Sequence, residues 1–157
     1  MAQGKKSFTL DDLLPGGSTY HQLQPQNLYT AWWGDRLVDT DLDGCHEINP
    51  KDGSKKVLFT LSQLNQWLGA GEDSSVVHSC YNVEFPDGGQ PWVATVVSGK
   101  GKNGGKPTSI YTVVDFKSGK KVWEQEYPAD ATALDRSPSS NSLAFVRQHN
   151  LYVTTKE

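Results

Sequence analysis

The chain is poor in cysteine: Cys45 and Cys80 are the only two among 157 residues. That excludes a fold held together by a framework of several disulfides. Three readings of the pair remain: two buried thiols, one disulfide, or a share in a zinc site with the neighbouring His46 and His78. Zinc is disfavoured, because Cys45 and His46 are adjacent in an expected strand and so point to opposite faces. No apolar run approaches the length of a bilayer-spanning helix. A basic excess is also missing. Fifteen Lys and Arg stand against 18 Asp and Glu, a net charge of −3, which argues against nucleic-acid or anionic-membrane binding. Met1-Ala2-Gln3-Gly4-Lys5-Lys6 carries charge with no apolar stretch behind it. No signal peptide is legible there, and residues 1–7 read as a polar leader.

Motifs for chemistry are equally scarce. No Ser stands in G-x-S-x-G, and neither Cys stands near a His in a protease-like pattern. Gly99-Lys100-Gly101-Lys102-Asn103-Gly104 spells G-x-G-x-x-G, yet a dinucleotide site needs a helix N-terminus next. Gly105-Lys106-Pro107 and a β-branched run follow instead, so a flexible loop is expected. Asp39-Thr40-Asp41-Leu42-Asp43-Gly44 spells the first half of a calcium loop, with Glu47 at its ninth position. Pro50 holds the twelfth, where an EF-hand needs a bidentate Glu. The competing reading is a hairpin with acids on its edge and a type I′ turn at Asp43-Gly44. From the residues alone no catalytic, cofactor-binding or metal-ligating position is assigned.

Turns and short strands are plentiful. One phrase occurs twice: Ile48-Asn49-Pro50-Lys51-Asp52-Gly53-Ser54-Lys55-Lys56-Val57-Leu58-Phe59, and Val114-Asp115-Phe116-Lys117-Ser118-Gly119-Lys120-Lys121-Val122-Trp123-Glu124. Both read as a strand, a lysine- and glycine-bearing turn, and a second strand. A recurring hairpin implies a recurring sheet unit, as in a β-propeller. Leu37, Trp92 and Leu143 each begin a strand after a turn, a looser period of about 50–55 residues. Further strands are expected over 28–33, 36–41, 45–49, 56–59, 80–85, 92–97, 109–115, 122–126, 131–134, 143–146 and 151–154. Thr9 can cap a one-turn helix ended by Pro15-Gly16-Gly17. One longer helix is expected over 60–68, with Thr60 and Gln63 at capping-box spacing, Leu61, Leu64 and Leu68 on one face, and Gly69 as its stop. The fold class is therefore all-β: a partial propeller of two blades and part of a third, with one short helix. Five Trp and six Tyr would fill the wedges between blades.

Phe8-Thr9-Leu10-Asp11-Asp12-Leu13-Leu14-Pro15-Gly16-Gly17, Leu23-Gln24-Pro25 and Trp32-Trp33-Gly34-Asp35 resemble the opening of bacterial dipeptidyl peptidase IV-like proteins. These are serine peptidases of the prolyl oligopeptidase class, with similar openings in Bacteroidetes. The run from Ser137-Pro138 through Leu143-Ala144-Phe145-Val146 to Asn150-Leu151-Tyr152-Val153 is similar to the family phrase W-S-P-x-G-x-x-L-A-[FY]-V-x-x-x-N-[LI]-Y-V. Arg136 stands where Trp is usual and Ser140 where Gly is usual. The resemblance covers residues 8–157 and implies the N-terminal part of an eight-bladed propeller. In the family that propeller caps an α/β-hydrolase domain, which carries the catalytic Ser, Asp and His. An acidic pair on the propeller binds the substrate's free amino terminus, so that dipeptides ending in Pro or Ala are removed. Neither element has a matching position here, so no catalytic residue is carried over. An Arg offered by some relatives near 100–108 is missing too, leaving Lys100, Lys102 and Lys106 with no role.

The resemblance implies a parent located in the periplasm or cell envelope, with a peptide as substrate and no cofactor. Two other classes compete: a non-enzymatic binding propeller or scaffold, and a β module that binds glycans through its Trp residues. A partial propeller should also self-associate through open blade edges, with Leu143, Phe145, Leu151 and Val153 expected to be exposed.

Overall fold

Glycine geometry accounts for three of the hairpins of the computed structural model, which describes residues 7–20, 28–70, 76–99, 106–138 and 141–154. Strands β1 (Thr30–Trp33) and β2 (Arg36–Thr40) join through Gly34-Asp35. Gly34 has φ +61° and Asp35 a negative φ, the pattern of a two-residue type II′ turn. Strand β3 (Gly44–Ile48) leads to β4 (Lys55–Thr60), completing a four-stranded antiparallel sheet in the order β1-β2-β3-β4. A second sheet has the order β5 (Trp92–Gly99), β6 (Thr108–Asp115), β7 (Lys120–Pro128). The third consists of β8 (Thr132–Arg136), β9 (Leu143–Arg147) and β10 (Asn150–Val153), with β9 in the middle. The chain is thus all-β, three antiparallel sheets with little helix, consistent with a partial propeller.

The doubled phrase forms the same turn in the first two sheets. In one, Gly53 (φ +71°) donates its amide to Asn49 O at 2.8 Å; in the other, Gly119 (φ +69°) donates to Asp115 O at 2.7 Å. The side chains agree as well. Asn49 Oδ1 accepts from Lys51 N, and Asp115 Oδ1 from Lys117 N. Both turns join the last two strands of their sheets. Leu37, Trp92 and Leu143 fall on β2, β5 and β9, which are also equivalent once Glu84, bridged to Ala94, is counted in the place of a first strand beside β5.

Two local expectations are corrected. Residues 80–85 are not a strand: Val83 N donates to Cys80 O in a turn, and Glu84 alone pairs, with Ala94. Pro86 has no amide to extend that ladder. Asp43-Gly44 is not a type I′ turn, since Gly44 lacks positive φ. The Asp41 carboxylate closes that turn by accepting from Asp43 N and Gly44 N, each at 2.8 Å. Gly44 is needed for space, because a Cβ there would lie 2.4 Å from Phe59 O.

Helix α1 is the single turn Leu10–Leu13, and α2 spans Leu61–Leu68. Thr60 and Gln63 form the expected capping box on α2, and Gly69 ends it at φ +89°. Leu64 and Leu68 are buried and Leu61 is partly so. Asn65 shares that face, with its amide group fully used. Nδ2 donates to Leu61 O and Val77 O, while Oδ1 accepts from Val76 N and Val77 N.

Two apolar layers hold the sheets in a stack. Trp33, Val38 and Phe59 of the first sheet pack with Leu64, Val93, Val114 and Phe116. Ala94, Tyr111, Val113, Trp123 and Tyr127 of the second sheet pack with Leu143 and Phe145 of the third. Alternation along β5 and β6 therefore buries both faces of the middle sheet. Aromatics fill the wedges as expected: Phe116 lies 5.0 Å from Trp33 and 5.5 Å from Phe59, and Tyr127 lies 6.0 Å from Phe145. Each fully buried ring contributes roughly 1.5–3 kcal/mol through area alone. Leu143 and Phe145 are thus core residues and not exposed edges, because they cover the middle sheet. Leu151 and Val153 are exposed, as expected.

Candidate functional site

The acid-rich run places Asp39 near the end of β2 and Asp41 just past it, and adds a partner that its spacing did not show. Asp39 pairs across the sheet with His46 of β3. Ligand atoms of Asp39, Asp41 and His46 lie within 4.8 Å of one another, with Asp43 outside this group. His46 Nδ1 stands 3.4 Å from Asp41 Oδ2. Glu47 turns instead toward Arg36, at 3.9 Å. Two carboxylates and an imidazole are a donor set for a divalent cation. Here, however, Asp39 is buried and ion-paired with Lys55 of β4, and that pair holds the lysine above its ordinary pKa. One Asp41 oxygen is already engaged by two amides. Lys55 thus already supplies a cation to Asp39.

The four residues of the zinc reading do not converge on one point. Cys45 and Cys80 lie in the core, His46 faces the acids, and His78 is exposed. The G-x-G-x-x-G run joins two antiparallel strands, for Gly99 pairs with Thr108. Lys100 and Lys102 within it lie outside the described residues, as do Leu23-Gln24-Pro25 and most of the polar leader. Lys106 is exposed.

A polar cleft lies between the second and third sheets. Glu84, Pro86, Tyr111, Leu134, Asp135, Arg136 and Pro138 line about 230 Å³. Tyr111 donates its hydroxyl to Glu84 at 3.2 Å, and burial together with the Glu84 charge pushes its pKa well up. The Arg136 guanidinium lies 5.9 Å from the centre of the Trp123 ring. At that distance the flat guanidinium can make a cation–π contact with the indole. The cleft is smaller than the roughly 300 Å³ at which small-molecule pockets begin. Among the described residues no histidine hydrogen-bonds a Ser or Thr hydroxyl.

The family-like opening has structural work to do. Asp12 is buried and accepts from Thr9 N at 2.8 Å, from the Thr9 hydroxyl at 2.9 Å, and from the Thr19 hydroxyl. Trp33 is buried, donates Nε1 to Gln90 O at 2.8 Å, and carries the Arg36 guanidinium over its ring at 4.1 Å. Gly34 and Gly88 meet backbone to backbone, where a Cβ on Gly88 would fall 2.5 Å from Gly34 Cα. Both glycines let the β1–β2 hairpin touch the loop before β5.

No model of a known protein family matches the chain. Among solved structures it is similar to a "putative dipeptidyl aminopeptidase IV" from Bacteroides ovatus ATCC 8483. The TM-score is 0.69 and the identity 27% over 97% of this chain. This chain spans 20% of the length of that protein.

Proposed function

We propose that these residues are the N-terminal part of a propeller domain in a dipeptidyl peptidase IV-like serine exopeptidase. In that reading the segment is a non-catalytic wall that shapes peptide access to an active site carried elsewhere in the parent. One observation carries it: nearly the whole chain matches a fifth of the Bacteroides ovatus protein at 27% identity. The stacked sheets with equivalent hairpins support it, since propeller blades are antiparallel sheets packed face to face. Residues 8–157 then form two blades and part of a third, after a leader over 1–7. The parent removes N-terminal Xaa-Pro and Xaa-Ala dipeptides and works in the periplasm or cell envelope. Acyl transfer needs a nucleophile, a base and an oxyanion hole together. The parent's set lies in its hydrolase domain, so this segment supplies no catalytic residue and binds no cofactor or metal.

The test pairs two polypeptides. The open reading frame that includes these codons should encode G-x-S-x-G further on, and its full product should release chromophore from an Xaa-Pro anilide. Residues 1–157 alone should not. A stop codon after further blades with no hydrolase would replace this reading with a binding propeller. Turnover by the 157-residue chain that survives repurification, and is abolished by a Ser substitution within it, would place the active site here.

A further inference from the structure

Cys45 and Cys80 are distant in sequence, and one turn clamps them together. Asp41 N donates to Gly44 O at 3.0 Å, which closes the turn directly before Cys45. Asp41 O in turn accepts from Cys80 N at 2.9 Å. Both side chains are fully buried in the apolar layer between the first two sheets, close enough that each thiol perturbs the other's titration. Packing alone would be satisfied by Ala or Val at either position. Two adjoining sulfurs add one capability that those residues lack.

We propose that Cys45 and Cys80 are a disulfide-forming pair, oxidised by a small-molecule or protein disulfide to cross-link β3 to the segment after α2. The Cys80 thiolate attacks one sulfur of the reagent disulfide, forming a mixed disulfide and releasing one reagent thiolate. Cys45 loses its proton to solvent and attacks the Cys80 sulfur, and the second reagent thiolate leaves. Two electrons and two protons pass to the reagent: one reagent disulfide is consumed, two reagent thiols appear, and one protein disulfide forms. In the folded state the neighbouring thiol and burial push the Cys45 thiol up, while the same neighbour lowers Cys80; once the segment opens, either thiol can take the first step. A mixed disulfide has no room while both sulfurs are buried. Exchange therefore belongs to folding, or to opening of the segment around 76–83.

The cross-link encloses β4 and α2, the elements that join the first two sheets. Loop-closure entropy over that span predicts a melting temperature raised by roughly 8–15 °C. To test this, the reduced, unfolded chain is refolded in a buffer of reduced and oxidised glutathione. It is then quenched with iodoacetamide and read by intact mass and unreduced peptide mapping. Expected are a mass lower by two hydrogens, no alkylation, a peptide pair joining Cys45 to Cys80, and a higher melting point that dithiothreitol reverses. The Cys80→Ala variant should melt identically in both redox conditions. Oxidation of the already folded reduced protein should run at least about tenfold slower than during refolding. Two alkylated thiols, glutathione adducts alone, or interchain dimers after oxidative refolding would overturn the proposal. Equal rates before and after folding would overturn its dependence on opening.

Discussion

Gly53 and Gly119 occupy the same place in equivalent turns, yet their surroundings differ. Both sit at positive φ, which costs a side chain about 1 kcal/mol. Nothing lies within 4 Å of where a Gly53 Cβ would stand. At Gly119 that Cβ would fall 2.6 Å from Trp67 Nε1, so the α2 indole packs directly on the turn. Gly53→Ala should therefore lower the unfolding free energy by about 1 kcal/mol, and Gly119→Ala by roughly 2–4 kcal/mol from strain plus displaced packing. Urea titrations of the two variants measure the gap. Equal losses would mean that Trp67 swings aside at no cost.

At the scale of elements, α2 is tied to the chain that follows it by one side chain. Asn65→Ala would strand the amides of Val76 and Val77 and the carbonyl of Val77 in a partly buried place. A loss of about 3 kcal/mol or more is expected, with α2 opening before the sheets in hydrogen exchange. A loss under about 1 kcal/mol would show that water enters and replaces the side chain. The acidic hairpin end of β2 and β3 makes the opposite kind of prediction. With Lys55 already on Asp39, millimolar calcium should leave the melting temperature unchanged. A ligand present at 100 times its dissociation constant adds about 2.7 kcal/mol. A rise of several degrees in differential scanning fluorimetry would therefore reveal a bound cation.

For the whole molecule, the outward surface of the third sheet decides behaviour in solution. Leu151 is 71% exposed and Val153 59%, on a β10 whose four residues are all open to solvent. Phe8, Leu10, Leu13 and Leu14 are exposed around α1 as well. An apolar edge strand is a template for pairing with another chain. The isolated chain should therefore give a light-scattering mass above that of a monomer, rising with concentration. Leu151→Glu combined with Val153→Lys should reduce it. A sharp monomer peak for the unaltered chain at high concentration would show that these side chains need no cover.

Local chemistry made most of the elements legible in the sequence. Turn glycines, β-branched runs and the Thr60–Gln63 box depend on residues near one another in the chain, so strand order, α2 and the repeated hairpin follow from the residues. The same locality explains the misses. Residues 80–85 have strand-like composition, yet Pro86 and the place Cys80 must take beside Asp41 make them a turn. Leu143 and Phe145 resemble edge residues until the second sheet is laid over them. Asn65 reads as a polar surface position, and its four hydrogen bonds exist only because 76–77 returns to it. The acid-rich run was visible as spacing, whereas His46 and Lys55 joined it through cross-strand register. Patterns set by neighbours in sequence determine elements. Which thiol meets which, which carboxylate finds a cation, and which apolar face is covered were decided by contacts between residues far apart, and these exist only once the sheets have stacked.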